Sequence, residues 1–362
     1  MLIYDFDLPS LTSLVTEWSE PSYRARQIWQ GLYKHLYDTP EQFSNLPITL
    51  REKLAEHVDF SAFKVKTSLD SSDGFTRKTL FVLPDGNLIE AVLMRYGDPA
   101  DSPHPHPSLA GRGTKGEGQS RRTLCISTQA GCAMGCVFCA TGQMGFKRHL
   151  SSGEIIAQVM YYARMLKAEE QSVTNIVLMG MGEPFHNYEN TMAAIDKLND
   201  PHGFNFGARR FTISTVGLVP QIRRFADEKR QVNLAVSLHA ADDESRLAIL
   251  PINKRYDIDD VIEACRYYVA QTRRRITFEW ALIHGINDTP QAARELAARL
   301  RGLLCHVNAI PLNPTVGYNG RATSRERAAA FKESLEQAGI PCTIRMRRGI
   351  DIHAGCGQLA GG

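Results

Sequence analysis

The chain has 362 residues, which is long enough for two or three domains and a large core. Its 42 basic and 39 acidic side chains leave a formal net charge of +3, which alone selects no partner. No apolar run in the sequence could cross a bilayer. The N-terminus, MLIYDFDLPS, is too acidic for an export signal. The eight cysteines are too sparse for a secreted disulfide scaffold. These features argue against a membrane or secreted protein and predict a cytoplasmic one.

Residues 1–70 are predicted to form a helical accessory domain. The stretch PSYRARQIWQGLYKHLYD repeats apolar residues at helical spacing, and PITLREKLAEHV predicts another helix. The apolar positions are most simply explained as part of the hydrophobic core. The basic side chains on the other face could contact an RNA backbone; they are Arg24, Arg26, Lys34 and His35. The segment contains no sequence motif that is specific for RNA binding.

Residues 71–122 are predicted to form a β-hairpin followed by a Pro/Gly-rich surface loop that leads into the core. The runs KTLFVL and LIEAVLM flank the turn PDGN, which is a hairpin signal. The next segment, GDPADSPHPHPSLAGRGTKGEGQSRR, is typical of a loop.

Residues 123–320 alternate between strand and helix patterns. The predicted strands are TLCIST, NIVLMG, RFTIST, VNLAVSL, ITFEWAL and HVNAIPL. Six such units predict an α/β fold with a parallel sheet that closes into a partial (β/α)6 barrel. Functional groups are then expected after the carboxyl ends of the strands. Residues 321–362 add a C-terminal helix, a strand and a Gly-rich tail that carries a cysteine.

Three cysteines in the run GCAMGCVFCATG follow the spacing CxxxCxxC: Cys132, Cys136 and Cys139. Three thiolates can bind three irons of a [4Fe–4S] cluster, and no fourth cysteine lies in the run. One iron is then open for S-adenosylmethionine (SAM), as radical SAM chemistry requires. The alternative is a structural zinc site in an RNA-binding protein, with Cys125 as the fourth ligand.

Polar groups suited to SAM follow several strands. Two glycines in GMGEP would let the backbone approach a ligand closely, and the adjacent carboxylate could pair with an ammonium group. Hydroxyl, imidazole and amide groups follow later strands and suit a ribose, a carboxylate or an adenine edge. The candidate residues are Gly182, Glu183, Ser214, Ser237, Leu238, His239 and Asn313.

Two further thiols stand out. Cys125 lies in the first predicted barrel strand, where the alternation of side chains along the strand could point it into the barrel. Cys356 lies between glycines in a flexible tail, where a thiol could enter a site as a covalent carrier.

The chain resembles the RlmN-type radical SAM RNA methyltransferases, whose broader family includes the Cfr resistance enzymes. The resemblance covers essentially the whole chain and includes RARQIWQGLYKH, LIEAVLM, LCISTQAGCAMGCVFCATGQMGF, GMGEP, SLHAADDESR, IPLNP and DIHAGCGQL.

The resemblance implies a mechanism with two SAM molecules per turnover. One methylates Cys356, and the other, on the cluster held by Cys132, Cys136 and Cys139, is cleaved to a radical that activates this methyl group. The methylene then adds to carbon 2 of adenine. Cys125 releases the product by forming a disulfide with Cys356, and Glu90 is implied as the base, with Cys125 as a second participant.

The implied substrates are an adenosine of 23S ribosomal RNA near the peptidyl-transferase centre and an adenosine next to the anticodon of tRNA. The resemblance also implies a flavodoxin or ferredoxin as the electron donor, and we expect a monomer. A Cfr-like enzyme that methylates carbon 8 is the alternative, since local motifs do not separate the two.

Overall fold

The computed structural model describes residues 1–97 and 121–361. The strands are β1 Lys64–Asp70, β2 Thr76–Val82, β3 Leu88–Tyr96, β4 Arg121–Cys125, β5 Gln129–Gly131, β6 Phe146–His149, β7 Asn175–Leu178, β8 Phe211–Thr215, β9 Asn233–Ser237, β10 Ile276–Leu282, β11 Cys305–Pro311 and β12 Cys342–Ile344. The helices are α1 Leu8–Glu17, α2 Tyr23–Gln30, α3 Ile48–His57, α4 Ala140–Gln143, α5 Ser152–Ala168, α6 Tyr188–Asn199, α7 Val219–Asp227, α8 Asp243–Ile249, α9 Ile258–Thr272, α10 Pro290–Leu300 and α11 Arg325–Gln337. None of these described helices is long and apolar enough to cross a membrane.

One sheet contains ten of the described strands, in the order β1-β2-β3-β4-β7-β8-β9-β10-β11-β12. Neighbouring strands from β4 to β12 are parallel, and the helices between them connect successive strands. The predicted α/β partial barrel is therefore confirmed. The sheet is also wider than predicted, because β12 adds a parallel strand at one edge and β1–β3 extend the other edge in antiparallel fashion.

Two segment boundaries differ from the sequence-based expectation. Strand β1 lies inside the range 1–70 assigned to the helical domain; all its residues are exposed, so apolar periodicity gave no strand signal there. Arg121 and Arg122, assigned to the loop, begin β4. The rest of the predicted Pro/Gly-rich loop, 98–120, lies outside the described residues.

The N-terminal helices pack on the barrel through an apolar core and a buried cation. Trp29 and Tyr33 are buried, as expected for the apolar face of their helix. The Nζ atom of Lys197, in α6, donates hydrogen bonds to the carbonyl oxygens of Tyr4 at 3.0 Å and Asp5 at 2.7 Å. The first residues of the chain are thereby attached to the barrel.

The loops after β8 and β9 are tied together by one fully buried side chain, Arg246. Its guanidinium donates to the carbonyl oxygens of Val216 at 2.7 Å, Leu238 at 3.3 Å and Tyr256 at 3.2 Å, and to Oδ1 of Asn253 at 2.7 Å. A buried carbonyl without a donor is costly, so this network determines how the loops at the carboxyl ends of the strands are arranged.

We predict that Arg246→Leu lowers the free energy of unfolding by about 3 kcal/mol, because several buried oxygens lose their donor. Urea unfolding followed by circular dichroism measures the change. The control is Arg255→Leu, at an exposed position nearby, which should change stability by less than about 0.5 kcal/mol. Equal stability of the two variants would contradict the role of the network.

Candidate active site

A large cleft, here called the cluster cavity, opens at the carboxyl ends of the parallel strands. It contains about 850 Å³ of empty space, part of it open to solvent, which is within the range of small-molecule sites. The predicted residues that line it are Cys136, Cys139, Gly182, Glu183, Ser214, Ser237, His239 and Asn313. Leu238 does not line it, since this side chain is fully buried in the core.

The three motif cysteines lie in one loop after β5. Backbone hydrogen bonds hold the loop, from Cys132 N to Gly145 O at 3.0 Å and from Cys139 N to Cys136 O at 3.1 Å. Burial raises the pKa of Cys132 to about 12 and that of Cys136 well above its usual range, and the charges of the neighbouring thiols add to the effect. A positively charged metal centre at this loop would stabilise the thiolate forms.

A structural zinc site and a [4Fe–4S] cluster differ in how their cysteine ligands are arranged. No three His, Cys, Asp or Glu side chains in the described part of the chain are close enough to bind one metal ion. A zinc site brings its ligands around a single ion, whereas in a [4Fe–4S] cluster each cysteine binds a different iron. Of the four cysteines concerned, Cys136 and Cys139 line the cluster cavity, whereas Cys125 and Cys132 do not.

The GMGEP loop packs tightly under the cluster cavity. Gly182 has a φ of +100°, and a Cβ atom there would lie 2.5 Å from Cβ of Gln129. The buried carboxylate of Glu183 accepts hydrogen bonds from Phe185 N at 3.0 Å and Val216 N at 2.9 Å. Burial raises its pKa to about 7, so a further hydrogen-bond donor from a ligand would be favourable at this carboxylate.

His239 presents a neutral imidazole to the cluster cavity. Its Nδ1 accepts a hydrogen bond from Ala281 N at 2.9 Å, which leaves the proton on Nε2. Burial, helped by the charge of Arg246, lowers its pKa to about 3. The ring meets Phe138 edge to face with centroids 4.9 Å apart, and Nε2 can donate to a ligand.

A second cavity, here called the thiol cavity, lies beside the first and contains about 660 Å³ of empty space, part of it open to solvent. Its walls include Met94, Tyr96, Cys125, Asn313, Arg345, Arg347, Arg348 and Cys356. Cys356 and Asn313 line both cavities. Cys356, which is exposed, is therefore a residue of the wall that the two cavities share.

The tail that carries Cys356 is fastened to the barrel, although the sequence predicted a flexible segment. Asn313 Nδ2 donates to the carbonyl oxygen of Cys356 at 3.0 Å, and Ala140 N donates to that of Gly357 at 2.7 Å. Oδ1 of Asn313 is buried without a hydrogen-bond partner and can accept one from a ligand. The same amide can thus position the tail and contact a bound molecule.

Glu90 lies near these thiols but lines neither cavity. It shares a sheet face with Cys125, because Val92, two residues further along β3, is paired with Cys125. Its buried carboxylate is paired with Lys78 Nζ at 2.9 Å and accepts a hydrogen bond from Ala360 N at 2.9 Å. The tail therefore covers the residue implied as the base.

Two charged residues of the site were not recognised in the sequence. Glu279 lines the cluster cavity, and Asn308 Nδ2 lies 3.0 and 2.8 Å from its two carboxylate oxygens. A lone carboxylate within the apolar strand ITFEWAL was the signal that could have revealed it. Arg345 lies beside both special thiols: burial raises the pKa of Cys125 to about 12 and also raises that of Cys356, while the Arg345 charge lowers both.

Comparisons with known proteins agree with this geometry. The family profile of the Radical SAM superfamily matches residues 126–297, and that of the ribosomal RNA large subunit methyltransferase N-terminal domain matches residues 2–59. The chain is 48% identical to the dual-specificity RNA methyltransferase RlmN 1 of Myxococcus xanthus over 99% of its own length and 93% of the relative's. It is 46% identical to a probable RlmN of Chloroflexus aurantiacus, over 99% and 92% of the two chains.

A solved structure, described as a radical SAM methyltransferase from Sphaerobacter thermophilus, is similar over the whole of both chains, with a TM-score of 0.91 and 46% identity. Radical SAM enzymes use a [4Fe–4S] cluster and SAM, and the three thiols and the few polar side chains of the cluster cavity fit this pair. The chain belongs to the RlmN family of dual-specificity radical SAM RNA methyltransferases.

Proposed function

We propose that this enzyme methylates carbon 2 of an adenosine in 23S ribosomal RNA at the peptidyl-transferase centre, and of the adenosine next to the anticodon in tRNA, through an S-methylcysteine on Cys356. The observation that carries the proposal is that Cys356 lines both cavities. A sulfur in a shared wall can receive a methyl group on one side and deliver it on the other. Carbon 2 is not nucleophilic, so methylation by direct displacement on SAM cannot reach it.

The proposed cofactor site lies in the cluster cavity. Cys132, Cys136 and Cys139 would each bind one iron of a [4Fe–4S] cluster, which supplies the electron that cleaves SAM. The backbone at Gly182 and the carboxylate of Glu183 would accept the amino group of SAM. The groups proposed for its ribose and adenine are Ser214, Ser237, His239 and Asn313. Leu238 can contribute only its backbone, because its side chain points into the core.

Two SAM molecules per turnover follow from this scheme. The first transfers its methyl group to the Cys356 sulfur and leaves as S-adenosylhomocysteine. The second would provide the radical that removes one hydrogen atom from this methyl group, so that the methylene carbon can bond to carbon 2. The resulting adduct radical must then give up one electron, for which the oxidised cluster would be the acceptor, together with the proton on carbon 2. Arg345 favours the thiolate of Cys356, and hence its methylation, because its charge lowers the pKa of that thiol against the effect of burial.

Release of the product is assigned to Cys125. Its thiol lines the thiol cavity together with Cys356 and is itself buried. Attack of the Cys125 thiolate on the Cys356 sulfur forms a disulfide and breaks the bond between this sulfur and the methylene carbon, which takes up a proton and leaves as the methyl group of the base. A dithiol or another two-electron reductant must reduce this disulfide before the next turnover.

Glu90 is proposed as the base that removes the proton from carbon 2. In the closed arrangement its carboxylate is occupied by Lys78 and by the backbone of Ala360. Movement of the tail would release the hydrogen bond from Ala360 and leave an acceptor next to the substrate. A flavodoxin or ferredoxin is proposed as the electron donor, and a cytoplasmic monomer as the working form.

Mapping the methyl group tests the proposed function. Reduced enzyme, SAM and 23S ribosomal RNA should yield 2-methyladenosine at one position by nucleoside mass spectrometry, and tRNA should yield it next to the anticodon. Cys136→Ala is the control and should give no product, because one iron loses its ligand. Formation of 8-methyladenosine would identify the Cfr-like alternative, and an unmodified RNA would contradict the proposal.

Replacing the two special thiols separates their roles. Cys125→Ala should methylate Cys356 and attack RNA but accumulate a covalent protein–RNA species, whereas Cys356→Ala should never form it. Denaturing electrophoresis with labelled RNA after anaerobic turnover detects this species. Cys265→Ala is the matched control, a buried thiol in α9 that lines neither cavity, and it should behave like wild type. Identical behaviour of the Cys125 and Cys356 variants would contradict the assignment.

A further inference from the structure

Several arginines on the outer surface of the barrel are paired with carboxylates. Arg223 lies 3.2 Å from Glu263, and Arg230 lies 2.5 Å from Asp196. Arg224 and Arg299 are paired in the same way with acidic partners. These cations contribute little to the field around the protein, because each positive charge is compensated locally.

Arginines around the thiol cavity are different. In residues 1–97 and 121–361, no carboxylate lies within the ion-pair distance of 4.0 Å from four of them: Arg121, Arg345, Arg347 and Arg348. The last three line the cavity, and Arg121 stacks on Tyr96 in its wall. Four guanidinium groups without a carboxylate at ion-pair distance, among the described residues, thus lie in or beside the wall of the thiol cavity, although the charge of Glu279 acts on Arg345 and that of Arg348 acts on Asp73.

Two of these guanidinium groups are held on one aromatic ring. The Cζ atom of Arg121 lies 3.9 Å from the ring centroid of Tyr96, and that of Arg348 lies 4.7 Å from the same centroid. Arg348 also lies 5.6 Å from the ring centroid of Phe75, a residue that is 40% exposed. Arg348 donates to the carbonyl oxygen of Arg95 at 3.3 Å, which further limits its motion.

Stacking of this kind leaves the hydrogen-bond donors available. A guanidinium interacts with an aromatic ring through its face, so the N–H groups at its edge stay free for planar acceptors such as phosphate. Nε of Arg121 is buried without a hydrogen-bond partner. A guanidinium that is pre-ordered by stacking can bind an anion with several oxygens at a low entropic cost.

We propose that Arg121 and Arg348, stacked on Tyr96, form a phosphate clamp for the RNA strand that carries the target adenosine. The inference rests on the proposed function and adds the place where the RNA backbone binds. A base that enters the thiol cavity leaves its neighbouring phosphates at the rim, beside these arginines. Recognition through backbone contacts and an extruded base is the usual mode for structured RNA.

Salt-dependent RNA binding tests the clamp without requiring catalysis. Unreduced, cluster-loaded enzyme is titrated with a fluorescent stem-loop of the 23S ribosomal RNA target region at several KCl concentrations. The double variant Arg121→Gln/Arg348→Gln should bind roughly tenfold more weakly per lost contact. The slope of log affinity against log salt should become shallower by roughly 1.5.

Two further variants serve as controls. Arg223→Gln removes an arginine that also stacks on a tyrosine, Tyr267 at 5.3 Å, but lies on the outer helices, and it should bind RNA like wild type. Arg121→Lys/Arg348→Lys retains the charge but loses the planar donors, and its affinity should lie between wild type and the Gln variant. The iron content and the midpoint temperature of thermal unfolding verify that each variant is folded. If the Gln double variant does not fold, the RNA affinity of the Lys double variant is used to test the clamp instead.

The outcomes separate the clamp from the proposed function. Wild-type affinity and salt slope in the double variant would overturn the clamp while the enzyme still binds RNA. Failure of the wild type itself to bind the RNA would overturn the proposed substrate together with the clamp. Unchanged RNA binding with slower reduction of the cluster by flavodoxin would assign the arginines to an acidic electron-transfer protein and overturn the RNA clamp.

Discussion

The attachment of the C-terminal tail is the constraint on which the proposed chemistry depends. Cys356 can serve two cavities only if its sulfur is held in the wall between them, and two backbone carbonyls achieve this. The carbonyl of Cys356 is bound by the loop after β11, and that of Gly357 by the loop that carries the cluster cysteines. Side-chain freedom at Cys356 then decides which cavity the sulfur faces, without a rearrangement of the barrel.

The same tail covers Glu90, and this links the order of the chemical steps to its position. While Ala360 binds the Glu90 carboxylate, that carboxylate cannot take a proton from a substrate. An opening of the tail would free the proposed base and let Cys356 shift at the same time. Further hydrogen bonds hold the tail, among them Thr141 Oγ1 to the carbonyl oxygen of Leu359 at 2.6 Å and Gln358 Nε2 to that of Pro314 at 3.0 Å. RNA binding would have to offset the loss of all of these contacts, each worth about 1 kcal/mol net, before the tail could open.

Charge is distributed in two distinct ways over the barrel. Inside, Arg345 opposes the effect of burial on the pKa of both special thiols, and a positively charged metal centre would stabilise the thiolate forms of the three motif cysteines. On the outer surface, Arg223 and Arg230 are paired with carboxylates, whereas Arg121, Arg347 and Arg348 at the thiol cavity have no carboxylate within 4.0 Å among the described residues. A small net charge of +3 therefore conceals a local positive region at the proposed RNA entrance.

The sequence by itself determined the fold class and much of the site, because both leave local patterns. Apolar strands alternating with amphipathic helices indicated the parallel barrel, and its topology implied that groups after the strand ends would meet at one edge. Glu183, Ser214, Ser237, His239 and Asn313 do meet there. Cysteine spacing likewise indicated a cluster, since the three ligands lie within eight residues.

Only the tertiary structure decided which residues distant in the sequence contact each other, and which side chains face the core. Leu238 follows its strand like its neighbours, yet its side chain belongs to the core, because residues on either side of a strand end point in opposite directions. Strand β1 exists through its pairing with β2, although its own exposed residues carry no apolar period. The contact of Arg348 with Tyr96 and the capping of Glu90 by Ala360 join residues more than 250 positions apart, and no local pattern encodes such distances.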